Sequence, residues 1–131
     1  MVYQIDIALD IRKNNDFSYK KKLIINNAND NECSNYYENY EFGGLGRRIL
    51  RNHIVLTFIF SKETGIIKFI KFIKNKTKAY IEMIGYDNCI FELIFASKKY
   101  LTFMERDLMR EYKKNRSHLL KKYKNIVNEL K

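Results

Sequence analysis

Residues 3–11 alternate, with Tyr3, Ile5, Ile7, Leu9 and Ile11 on one side and Gln4, Asp6, Ala8 and Asp10 on the other. Period two with β-branched residues predicts a half-buried strand. "HIVLTFIF" (53–60) repeats the pattern, with Ile54, Leu56, Phe58 and Phe60 sharing a face. "SKETG" follows and reads as a hairpin turn. The next run, "GIIKFIKFIK" (65–74), fits two periods. As a helix it gathers Lys68, Lys71 and Lys74 on one arc; as a strand it divides isoleucines, phenylalanines and lysines between two faces. Its β-branched and aromatic content, and the turns on either side, favour a strand. "AYIEMIGY" and "CIFELIFA", joined at 86–88, complete the set, in a register that places Glu82 across from Glu92.

Between these segments, 12–22 reads as a charged turn, "LIIN" as a short apolar piece, and 26–41 as a long polar loop with almost no aliphatic residue. From Leu101 the pattern changes. Leu101, Met104, Leu108, Tyr112, Asn115, Leu119, Tyr123, Ile126 and Leu130 recur every three or four positions with no Pro or Gly between them, which predicts one helix over 101–131. Such a helix is about 40 Å long at the standard rise, more than a sheet of short strands covers. The expected fold is therefore a single α+β domain spanning 1–131: an antiparallel β-meander of four to five strands with a long basic C-terminal α-helix on one sheet face.

Composition adds charge to this picture. The chain has 131 residues and a formal charge of +10, with Lys, Ile and Asn at 18, 17 and 14 and no Pro or Trp. That bias follows AT-rich codons, as in a large DNA virus, an AT-rich parasite or bacterium, or an organelle genome. Codon bias does not account for asymmetry. Residues 1–45 carry five Lys/Arg against seven Asp/Glu, whereas residues 46–131 carry twenty against eight. A basic half favours phosphate-rich partners. The candidate contacts are Arg47, Arg48 and Arg51 after the "FGGLG" break, and Arg106, Arg110, Lys113, Lys114, Arg116, Lys121, Lys122 and Lys124 along the C-terminal segment. Cations on a rigid rod give salt-dependent binding with little base preference. The expected partner is DNA or RNA, bound without catalysis.

The competing expectation is a structural or accessory protein acting as a homo-oligomer, through the Ile/Phe/Lys sheet face or the protruding helix, with Asn115 setting register. "FGGLGRRI" (42–49) is similar in spacing to the Gly-x-x-Gly loop of KH-type RNA-binding domains, Phe42 and Ile49 holding the flanking apolar places. The preceding segment is rich in Asn and Tyr where that family places a helix, so a flexible turn is preferred.

Cys33 and Cys89 have no metal or disulfide spacing, and His53 and His118 no metal spacing. No nucleophile triad, Walker loop or dinucleotide loop is readable, so no cofactor is expected. Asp6 and Asp10 on the first strand, with the Glu82–Glu92 pair, leave a metal-dependent nuclease as the third reading, and an ion pair with Lys68 or Lys71 is preferred for those glutamates. Without a signal core or a long apolar run, an intracellular place (cytoplasm, nucleus or viral factory) away from membranes is expected.

Overall fold

The computed structural model describes residues 1–12, 14–39, 53–77 and 79–131. Five strands, β1 (Val2–Asp10), β2 (Cys33–Asn39), β3 (His53–Phe60), β4 (Tyr80–Asn88) and β5 (Ile90–Ala96), form one antiparallel sheet in the order β2-β3-β1-β4-β5. Helix α1 (Asn14–Asp30) joins β1 to β2, and α2 (Glu63–Phe72), continued by a π-helical turn at Ile73–Thr77, joins β3 to β4. Four short helices follow: α3 (Lys98–Phe103), α4 (Arg106–Lys114), α5 (Arg116–Lys122) and α6 (Lys124–Leu130).

The protein is thus mixed α+β with an antiparallel sheet, but the sheet is not a meander. Strands β3 and β4 both pair with β1 and run parallel to each other, so a crossover must connect them. The same holds for β1 and β2 on either side of β3. The result is two interleaved split β-α-β units, the connectivity of ferredoxin-like sheets, extended by β5.

Residues 65–74 supply one of these crossovers, and the strand expected there is corrected to a helix. Ile66, Phe69, Ile70 and Ile73, spaced 3, 1 and 3 apart, are each fully buried, while Lys68, Lys71 and Lys74 are exposed. A 3.6-residue period puts all four apolar groups on one stripe, which overrides β-propensity. Gly65, taken as a turn glycine, lies in the first turn of α2 against the end of α1. A Cβ there would stand 2.6 Å from the Asn31 carbonyl oxygen and 3.3 Å from Phe60 Cδ1. Helix propensity favours Ala over Gly by about 0.5–1 kcal/mol, but overpacking against fixed backbone costs about 1–3 kcal/mol. Gly65→Ala is therefore expected to lower the urea midpoint; an unchanged or higher midpoint would show that the α1–α2 approach yields easily.

The polar loop expected over 26–41 is likewise corrected. Its first residues end α1 and 33–39 form edge strand β2. Ile24 and Ala28 of α1 are buried, with Phe17 and Ile25 packed partly against the core. Such a thin apolar stripe among asparagines is stabilised by tertiary contact rather than by propensity. Among the described residues β2 pairs only with β3, and it exposes Tyr36 and Tyr37; polar edges of this kind discourage further strand addition.

The expected single C-terminal helix is also corrected. It breaks at Met104, which is extended (φ −74, ψ 147), and departs from α geometry at Asn115 (φ −92, ψ 6) and Tyr123 (φ −112, ψ 37). Backbone bonds from Leu119 to Asn115 (3.0 Å) and from Val127 to Tyr123 (3.0 Å) still carry the chain through the last two junctions. Its second half enters the core, with Leu119, Tyr123, Ile126 and Val127 buried among the apolar groups of α1, α2 and one sheet face, while Tyr112 packs partly against it. Lys74 Nζ ties α6 down by donating to the Glu129 carbonyl at 2.7 Å.

Candidate functional site

Three features of the described residues have functional potential: cations of the C-terminal helices, a groove beside β5, and a buried pair of carboxyls.

The cations divide by partner. Arg12, Lys20, Lys21 and Lys62 each form an ion pair, with Asp10, Asp16, Glu38 and Glu32 respectively. In the C-terminal segment, Arg110 meets Asp107 at 3.7 Å and Lys122 meets Glu92 at 2.6 Å. Lys98, Lys99, Arg106, Lys113, Lys114, Lys121 and Lys124 are exposed, and no carboxylate among the described residues pairs with them. The cause lies in sequence: over 98–131 there are eleven Lys/Arg but four Asp/Glu. Arg116 is committed to the fold. Its guanidinium donates to the Ile94 carbonyl of β5 and stands 5.0 Å from the Tyr112 ring centroid. Arg47, Arg48 and Arg51, with the Gly-x-x-Gly segment, lie outside the described residues.

The groove, about 560 Å³, runs between β5 and helices α3–α5. Ile90, Phe91, Tyr100, Met104, Leu108 and Tyr112 line it, and Glu92, Glu105, Glu111 and His118 add polar groups. Met104, Leu108 and Tyr112 are outer members of the C-terminal apolar stripe. After the break at Met104, α4 has no fully buried residue, and its Leu108 is 57% exposed.

Glu92 does not face Glu82. The β4–β5 hairpin turns more tightly than expected, at Cys89 (φ 65), and pairs Tyr86 with Glu92. Glu92 accepts from Lys122 Nζ and the Tyr123 hydroxyl, both at 2.6 Å, which holds its carboxyl below the usual range against the effect of burial. Lys71 instead approaches Glu129, at 4.0 Å. Glu82 is directed elsewhere by a β-bulge. Asp6 pairs with Met83 and Ile7 with Ile81, so Glu82 is the extra residue of β4. Bulges re-aim side chains in this way.

Glu82 is buried together with Asp6, Thr57 and Ser97. The Ser97 amide donates to the Glu82 carbonyl at 2.8 Å, and the Ser97 hydroxyl caps α3 by accepting from the Tyr100 amide at 3.1 Å. That cap starts α3 beside the two acids. Burial pushes the Asp6 carboxyl up to about 6, against hydrogen bonds from Thr57 and Gln4. Burial, then the Asp6 charge, pushes Glu82 up to about 7. The Tyr100 hydroxyl is raised by burial and by both acids. Sequence reasoning picked out Asp6 and Glu82 separately; the bulge that unites them has no local signature. Asp10 is not part of the group, being held by Arg12 at 2.9 Å. Among the described residues, no three His, Cys, Asp or Glu side chains gather around a common point, and no helix is long and apolar enough to cross a membrane.

No protein-family model, curated protein or solved structure matches this chain.

Proposed function

We propose that the protein binds nucleic acid without catalysis, through phosphate contacts made by the cations of its C-terminal helices. The observation that carries this reading is the unbalanced charge of 98–131, where Lys113, Lys114, Lys121 and Lys124 stand exposed without acidic partners among the described residues. Unpaired cations keep their full attraction for phosphate, whereas a cation already held by a carboxylate must give up that contact first. The contacts are mostly lysines, which act as point charges rather than as a fixed hydrogen-bond fork for base edges. Affinity should therefore come from counterion release. With about five phosphate contacts, binding of a fluorescent oligonucleotide should weaken about 500-fold between 50 and 200 mM salt. Anisotropy titrations over that range, on DNA and RNA of unrelated sequence, test this. Absence of binding at low salt, or binding indifferent to salt, would remove the proposal.

The groove favours a second reading, self-association. Ile90 is 75% exposed beside Phe91 and Leu108, an apolar cluster of the kind that marks association surfaces. A tight dimer in light scattering, dissociated by Leu108→Asp and lacking affinity for oligonucleotide, would place this reading first.

A further inference from the structure

Glu82 has no accessible surface, and neither of its carboxyl oxygens has a hydrogen-bond partner. Burying an unsatisfied carboxyl is costly in either protonation state. Asp6, 5% exposed, lies on the same side of the sheet. Thr57 Oγ1 at 2.8 Å and Gln4 Nε2 at 3.3 Å both donate to its Oδ1. The two carboxyls are near enough for one charge to act on the other, yet no hydrogen bond joins them. They do not share a proton directly. Both Glu82 oxygens are thus left without donors, next to the Asp6 carboxyl.

We infer that Asp6 and Glu82 form a binding site for a divalent cation of the oxygen-seeking class, such as Mg²⁺ or Mn²⁺. Asp6 Oδ2 and the Glu82 oxygens supply the anionic ligands. Two carboxylates neutralise a dication, and sites of this class commonly use one or two carboxylates with water or hydroxyl groups in the remaining positions. The charge of the ion also removes the penalty for burying both acids. Fixed β-strands hold the ligands: Asp6 sits in the central strand, and the bulge brings Glu82 from its neighbour. Cation binding here is independent of nucleic-acid binding by the helices.

Mn²⁺ titration of the chelator-treated, full-length protein at pH 8, followed by the loss of the free-ion electron paramagnetic resonance signal, tests the site. One ion per chain is expected for the wild type. Glu82→Gln and Asp6→Asn, each checked for folding by circular dichroism, should weaken binding at least tenfold. An Asp107→Asn control, which removes an exposed carboxylate, should bind like the wild type. A wild-type protein that takes up no Mn²⁺ overturns the inference and leaves an acid pair bridged by water. Equal binding by wild type and both site variants overturns it as well, by placing the ion elsewhere.

Discussion

Phe69→Ala is expected to destabilise the protein by about 3–5 kcal/mol, enough to leave a domain of ordinary stability barely folded. Phe69 is fully buried on the α2 stripe, with its ring 4.8 Å from Phe58 and 5.2 Å from Phe60. It joins the helix layer to β3 next to the central strand, where Ile5, Ile7 and Leu9 are also buried. Strand backbones fixed by pairing on both sides cannot collapse into the space that an aromatic ring leaves. The full cavity term should therefore appear, rather than the smaller transfer term alone. Urea unfolding of wild type and variant measures it. A loss below about 1 kcal/mol would mean that α2 does not sit on the sheet as described, since a side chain on an exposed strand face costs that little.

The second large effect concerns pH. In metal-free protein, stability should fall as pH rises from about 4.5 to about 7. Glu82 goes from an ordinary value of 4.5 when unfolded to about 7 when folded, and Asp6 from 3.8 to about 6. In this window the folded state binds more protons than the unfolded state, so each increment of pH favours unfolding. Both contributions are fully present below the unfolded values and are lost as pH passes the folded ones. Glu82 alone accounts for on the order of 2 kcal/mol of this decline. Asp10 and Glu92, whose carboxyls are lowered by Arg12 and by Lys122 with Tyr123, act oppositely, but below about pH 4.5. A stability maximum near pH 4–5 is the expected outcome for these groups together. Glu82→Gln should flatten the decline above it. Thermal melts in chelator from pH 4 to 8 read this directly, and stability rising through pH 6 in the wild type would contradict it.

These expectations rest on parts of the fold that differ in how visible they are in sequence. β1 is legible because its large apolar residues alternate with polar or small ones, and β3 because it is a short run of β-branched and aromatic residues bounded by polar positions. Residues 65–74 are not, because a short run of isoleucine, phenylalanine and lysine fits both periods. Only the topology, which places β1 between β3 and β4, demands a helix there. α1 is concealed by its asparagines, which favour turns in isolation, and four spaced apolar residues suffice once a sheet lies beneath them. The C-terminal stripe is visible as a period. Its division into short helices depends on Met104, Asn115 and Tyr123, none of which is a helix breaker by type. Of the site features, the helix cations could be listed from sequence, but Arg116 could not be told from its neighbours, since its bond to Ile94 is a tertiary contact. The Asp6–Glu82 pair was beyond sequence altogether, because one extra residue in β4 decides which way Glu82 points.

Nucleic-acid binding by unpaired C-terminal cations is the central claim, and a matched pair of charge reversals tests it most directly. One variant carries Glu at Lys113, Lys114, Lys121 and Lys124; the other carries Glu at Arg12, Lys20, Lys21 and Lys62, which already have carboxylate partners. Both change the net charge equally. Oligonucleotide anisotropy at low salt should show the first variant weakened at least a hundredfold and the second by less than tenfold. Equal losses in the two would mean that only total charge matters, and that these helices form no binding surface.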